Sequence, residues 1–204
     1  MGEDTMSTTV TGAEIRDAVR RMFDRVAAAP GEKYRFAVGP ALARRVGYPE
    51  AVLASLPASA CESFTGLAYL HPYLGLQPGE HVLDLGSGAG MDSLLAGRAV
   101  SPGGSVVGLD ISETMVSKAR HLAATLRADH VRFEQGVAEA MPFAEATFDA
   151  AYANGVFNLC PDKPAVASEL RRVLKPGGRA VIAEITFTEP LPSTEVQTVD
   201  DWFR

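Results

Sequence analysis

Cysteine is scarce in this chain. Cys61 and Cys160 are the only two in 204 residues. They lack C-x-x-C spacing, so they build neither a disulfide framework nor a self-sufficient metal site; free thiols in a reducing compartment follow. Histidine is nearly as sparse, and His71, His81, His121 and His130 show no ligand spacing, so no metal is assigned. Basic clusters are missing, and the formal charge of −6 argues against a nucleic-acid-binding surface. No apolar run approaches the length of a membrane span, and the acidic, threonine-rich N-terminus is not a signal peptide. A cytoplasmic location with no membrane partner is the expectation. No lysine or arginine lies between Gly79 and Gly97, which makes polyphosphate a poor guest in that stretch.

That same stretch is the most informative in the chain. His81 to Gly90 reads H-V-L-D-L-G-S-G-A-G. A short apolar run stops at Gly86, Gly88 and Gly90, and a helical pattern, Met91 to Val100, follows at once. Strand, glycine turn and helix leave bare backbone at a helix N-terminus, where a small molecule can approach the amides. The spacing departs from G-x-G-x-x-G, and the Gly-Lys-Ser/Thr ending of a phosphate loop is absent.

Around it the chain is ordinary globular material, 47% apolar and 22% charged, which fits one domain with a full core. Residues 1 to 10 show no periodicity. Thr11 with Glu14 forms a capping box, and Ile15, Val19, Met22, Phe23 and Val26 recur at helical spacing. This amphipathic helix either packs on the domain or forms a lid over a ligand. K-Y-R-F-A-V-G-P reads as extended, and short helices follow at Pro40 to Val46 and Pro49 to Ser55. Ser59 with Glu62 is a second capping box. Tyr34, Phe36, Phe64, Tyr69 and Tyr73 either pack in the core or line a substrate pocket.

From Val82 strands and helices alternate. Strand His81 to Leu85 and helix Met91 to Val100 lead to strand Ser105 to Leu109, which ends at Asp110. Ser112 caps a helix running to Arg127, with Glu113 in its first turn. Strands Val131 to Gln135 and Phe148 to Ala153, a helix from Pro161 through Val173 and a last strand, Ala180 to Phe187, complete the series. An α/β fold with a doubly wound, mainly parallel sheet follows, its crevice at the carboxyl ends of the strands. Asp110, at such an end, is placed to accept hydrogen bonds from two ribose hydroxyls, and it would repel a 2′-phosphate.

L-D-L-G-S-G-A-G-M-D, V-V-G-L-D-I-S-E-T-M, G-V-A-E-A-M-P-F, N-L-C-P-D-K and R-V-L-K-P-G-G-R together resemble the class I S-adenosylmethionine-dependent methyltransferases. They are most similar to the branch holding arsenite methyltransferases and ubiquinone/menaquinone C-methyltransferases. The resemblance covers residues 80 to 187 and, loosely, the N-terminal segment. It implies a Rossmann-like sheet of order 3-2-1-4-5, with residues 1–79 as a helical lid and substrate segment and residues 80–204 as the cofactor domain. It implies that Gly86, Ser87, Gly88 and Gly90 pass the methionyl part of S-adenosylmethionine, while Asp84 orients the turn and the ammonium group. Asp110 would hold the ribose, Ile111 and Met115 would flank the adenine, and Ala138 and Glu139 would line its edge. Asn154 to Asn158, Val156 among them, would border the transferring methyl, with a small-molecule acceptor beyond.

The departures from the family pattern are specific. Val137 stands where many relatives carry an acidic residue, and the cysteines that hold arsenic fall here on Gly155 and near Leu67. Arsenite therefore stands as an alternative acceptor, with Cys61 and Cys160 displaced from the expected positions. Only Thr188 to Arg204 remain after the last strand, so C-terminal strands look missing. The apolar edge is then bare in a shortened form, or covered by the N-terminal segment or by a second subunit in a homodimer. Two other readings remain open: a nicotinamide oxidoreductase, and a catalytically silent cofactor-binding protein. His71 and Tyr73 lie in the segment where a general base would sit.

Overall fold

The computed structural model describes residues 10–186 and 188. The expectations for residues 1–9, for Phe187 and for residues 189–204 lie outside these; the last strand, expected to run from Ala180 to Phe187, already ends at Ala183, and residues 184–186 belong to no strand. Five parallel strands form one sheet of order β3-β2-β1-β4-β5. They are β1 (His81–Leu85), β2 (Ser105–Asp110), β3 (Val131–Gln135), β4 (Phe148–Asn154) and β5 (Leu174–Ala183). The order reverses between β1 and β4, and the crevice of such a sheet opens at that switch point, beyond the carboxyl ends.

Alternation along β1 sets the two layers. Val82 faces a core shared with α6 (Met91–Val100) and α7 (Glu113–Thr125); Leu83 and Leu85 face α8 (Lys163–Val173) and the loop between β3 and β4. Ser112 caps α7, its hydroxyl accepting the Met115 amide at 3.1 Å. The cap of α8 is Asp162, two residues into the segment where Pro161 was expected to open it, because its carboxylate accepts the Ala165 amide. β5 starts earlier than its apolar pattern suggests. Leu174 pairs with Phe148, and the register then jumps to Arg179 opposite Ala150, so the polar Lys175–Gly178 stretch bulges out of an edge strand.

The first third of the chain carries α1 (Gly12–Ala28), α2 (Pro40–Arg45), α3 (Glu50–Ala54), α4 (Ala58–Cys61) and α5 (His71–Leu74). The capping box of α1 is complete: Glu14 bonds back to Thr11. The second box, Ser59 with Glu62, does not form; α4 starts after Pro57 and ends at Cys61 with no side-chain cap. Residues 33–38 join no strand, and the chain bends at 35 and 36. α1 is tied to α7 by Asp24, which accepts the Ser112 hydroxyl at 2.6 Å, and by Lys118, which donates to the Ala27 carbonyl at 3.0 Å. Val26 and Ala27 pack with Ala89 and Met115, and Leu42, Leu53 and Phe64 share a core with Val82 of β1.

Candidate functional site

β1 and β2 end side by side and deliver the chain into α6 and α7. Between them the glycine turn folds back on the Asp110 carboxylate, which accepts the Gly88 amide at 2.8 Å on one oxygen and the Ser112 amide at 2.8 Å on the other. Each oxygen keeps a lone pair for a further donor. Burial pushes Asp110 up to about 6, against the pull of the two amides. The same carboxylate that faces the crevice therefore also shapes the turn.

Over this turn lies a cavity of about 720 Å³, open at its mouth. Gly86, Gly88, Asp110, Ile111, Met115, Ala138, Glu139, Asn154 and Val156 line it. α1 supplies the opposite wall with Arg16, Val19 and Phe23, and Arg16 bridges to Glu139 at 3.5 Å. The apolar stripe of α1 left two readings, packing on the domain or a lid over a ligand; the helix both packs on α7 and walls this cavity. Val137 lines the cavity too, and Glu139 is the acidic side chain at that end.

A smaller cavity of about 420 Å³ adjoins the first, with Thr65, Gly86, Gly88 and Asn154 in common. Asp84 and Ser87 line this one. Gly90 lines neither: a side chain there would meet the Phe133 ring at 2.7 Å, so it is the glycine that lets α6 pack against β3.

Behind the smaller cavity is a polar cluster that no spacing in the sequence announces. Asp92 accepts the Tyr48 hydroxyl at 2.5 Å and lies 3.1 Å from His71 Nε2. Asn154 Nδ2 donates to the other oxygen of Asp92 and to the Ala68 carbonyl, while its Oδ1 accepts the Leu67 and Ala68 amides. Asn154 thus clamps residues 67–68 onto the end of β4. Asp84 accepts the Ser93 hydroxyl and is pushed up to about 8, first by burial and then by Asp92. The Tyr48 hydroxyl is pushed up by burial and by Asp92.

The sign of the Asp84 effect is testable. Its folded value lies above the ordinary 3.8, so its contribution to stability is complete below about pH 4 and is lost as pH rises through about 8. Asp84→Asn keeps an acceptor for Ser93 and removes the titration. Its thermal midpoint should fall less than that of the wild type between pH 5 and 9, by roughly 5–10 °C, the fall that remains in the variant including the titration of Asp110. Parallel curves in calorimetric scans would refute this.

Of the residues considered as a base, Tyr73 is 74% exposed on α5, and His71 is engaged with Asp92 and lines neither cavity. Among the five aromatics singled out in the sequence, Phe36 stacks with both Phe23 and Tyr34, and Phe64 and Tyr69 pack on Tyr48. Cys160 lines the larger cavity but burial pushes its thiol up to about 12. Cys61 lies in the core of the opposite sheet face, and burial raises it as well. Among the described residues no group of three or more His, Cys, Asp or Glu could hold a metal ion, and no helix is long and apolar enough to cross a membrane.

The chain is 39% identical over 148 residues to an arsenite methyltransferase of Halobacterium salinarum, covering 72% of this chain and 38% of that protein. It is 41% identical over 110 residues to a ubiquinone/menaquinone biosynthesis C-methyltransferase of Geobacter sulfurreducens, covering 53% of this chain and 43% of that one. The chain therefore spans less than half the length of these curated relatives. Among solved structures, an arsenic(III) S-adenosylmethionine methyltransferase from Chlamydomonas reinhardtii superposes with a TM-score of 0.65 at 32% identity, over 72% of this chain and 53% of that one. Residues 76–204 match a methyltransferase domain family, and with more than half of its length in that match the chain belongs to this methyltransferase family.

Proposed function

We propose that this chain binds S-adenosylmethionine in the paired cavities and transfers its methyl group to a small-molecule acceptor. The observation that carries the reading is the convergence of Asp110 and the glycine turn on one cavity at the switch point of a parallel sheet. Two local features fit the cofactor. At Gly88 a side chain would meet nothing within 4 Å, which leaves room against the bare turn. The Ser87 hydroxyl is buried with no hydrogen-bond partner. In this reading residues 80–204 cradle the cofactor and residues 1–79 wall in the acceptor.

The bound cofactor supplies a methyl group on a sulfonium, whose departure as a neutral thioether needs no acid. The protein's part is alignment and exclusion of water. Asp110 accepts the ribose hydroxyls on its free lone pairs, and Ile111 and Met115 flank the base. Val156, Leu159, Val19 and Phe23 keep the reacting region apolar. Asn154 holds residues 67–68 over the carboxyl end of β4 and so fixes where an acceptor stands. Arsenite is the weaker reading. Trivalent arsenic calls for thiolates, and Cys61 and Cys160 are protonated thiols on opposite faces of the sheet. A cytoplasmic location and a homodimer closed over the exposed Ile182 and Ile185 of the β5 side belong to the same proposal.

Calorimetric titration with S-adenosylmethionine tests the ribose contact. Asp110→Ala should weaken binding at least tenfold, about 1.4 kcal/mol. Unchanged affinity would remove Asp110 from that role.

A further inference from the structure

Asp24 of α1 stands 88 positions from Ser112, yet the two are bonded: Asp24 Oδ1 accepts the Ser112 hydroxyl at 2.6 Å. From Ser112 the contacts run on to the larger cavity. Its amide donates to Asp110 Oδ1 at 2.8 Å, and the other Asp110 oxygen accepts the Gly88 amide at 2.8 Å. Its hydroxyl oxygen accepts the Met115 amide at 3.1 Å. Asp110, Gly88 and Met115 all line the larger cavity, and so do Val19 and Phe23 of α1. One buried serine therefore joins the helix that walls the cavity to the carboxylate at the end of β2.

The chemistry of that serine makes Asp24 matter to Asp110. A hydroxyl has one proton to give and lone pairs to receive with. At Ser112 the proton goes to Asp24 and a lone pair to Met115; the residue is fully buried, so bulk water replaces neither partner. Without Asp24 the hydroxyl is a buried donor with no acceptor, a costly state that the turn relieves only by moving. The amide that holds Asp110 Oδ1 moves with it. Asp24 is well placed to prevent this, because it is fixed from several sides. Arg20 donates to its Oδ2 at 3.1 Å, and the Thr114 amide approaches its Oδ1 at 3.4 Å. Next to it along α1, Val26 is fully buried and the Ala27 carbonyl accepts the Lys118 ammonium at 3.0 Å, so this end of the helix is bound to α7.

We propose that Asp24 is a positioning residue for the nucleoside end of the ligand: through the Ser112 hydroxyl it sets where the Asp110 oxygens stand, and α1 thereby takes part in the ribose site without touching the ribose. This rests on the proposed cofactor. It adds that ribose binding and the seating of α1 on α7 are coupled, and that the coupling passes through one hydroxyl. What Asp24 contributes is an acceptor oxygen in a fixed place, not a charge.

The test is calorimetric titration of the full chain with S-adenosylhomocysteine. Asp24→Ala should weaken binding about fivefold, and Asp24→Asn, which keeps an oxygen for Ser112 and drops the charge, should recover all but about twofold of the affinity. In an Asp110→Ala chain, Asp24→Ala should cost nothing further, because the contact that it positions is already gone. A residue that only held α1 in place would cost the same in both chains. Coupling is reciprocal. At saturating S-adenosylhomocysteine, amide hydrogen exchange in residues 20–28 should therefore slow in the wild type and not in Asp110→Ala, a comparison that stands even if no Asp24 variant folds. Wild-type affinity in Asp24→Ala, an equal loss in the Asp110→Ala chain, an asparagine variant as weak as the alanine one, or equal protection of residues 20–28 in both chains overturns the proposal. A folded wild-type chain that does not bind S-adenosylhomocysteine overturns the cofactor reading itself and takes this proposal with it.

Discussion

Gly88→Val should abolish measurable binding of S-adenosylhomocysteine while leaving the chain folded. The backbone at Gly88 has φ +52°, in the left-handed region, and a side chain there points into space with no atom within 4 Å. That space is the junction of both cavities. A valine would therefore occupy the ligand's volume, not that of any protein group. Its amide still reaches Asp110. The cost to folding is limited to backbone strain, about 1–3 kcal/mol for a residue without glycine's freedom. The cost to binding is a steric overlap that alignment cannot relieve, and a loss of more than about a hundredfold is expected. Urea denaturation and titration on the same preparation separate the two. A valine variant that binds normally would place the ligand elsewhere.

Two residues on, the opposite outcome is expected. Gly90→Val should destabilise the fold by about 3–5 kcal/mol, whatever ligand is present. Here φ is +89°, and the new Cβ would stand 2.7 Å from the Phe133 ring and 3.1 Å from the Ala119 Cβ. Phe133 is itself buried, so the ring has nowhere to retreat. Strain and overpacking add at one position. A midpoint in urea that moves by less than the equivalent of about 1 kcal/mol would show that α6 can shift off β3 cheaply.

The contrast between these glycines shows where sequence reading works and where it stops. The run H-V-L-D-L-G-S-G-A-G announced a strand, a turn and a helix because apolar alternation and glycine are local signals, and β1, α6, β2 and the Ser112 cap fall where those signals place them. Assigning a function to each glycine needs the third dimension. Gly88 borders open space and Gly90 borders Phe133, 43 positions on in the chain, yet both carry the same letter. Ser59 and Glu62 have the right spacing for a capping box, but Pro57 starts a one-turn helix that is over before the box can close. The chain beyond is held by Asn154, 86 and 87 residues away from the amides it binds. Tyr48, His71 and Asp92 meet across separations of 44 and 21 residues with no shared motif. The proposed cofactor cradle could be suggested from sequence because it draws on one β-turn-α unit and the end of the next strand. The wall proposed for the acceptor was open to more than one reading, because α1 and residues 64–71 reach the cavities only through tertiary contacts.

The central claim is that the paired cavities bind S-adenosylmethionine and its product. The most direct test is calorimetric titration of the wild-type chain with S-adenosylhomocysteine, followed by the same titration with NAD. One site per chain with micromolar affinity for S-adenosylhomocysteine, and no heat from NAD, is the expected result. NAD binding in its place, or no binding of either by protein that melts cooperatively, would contradict it.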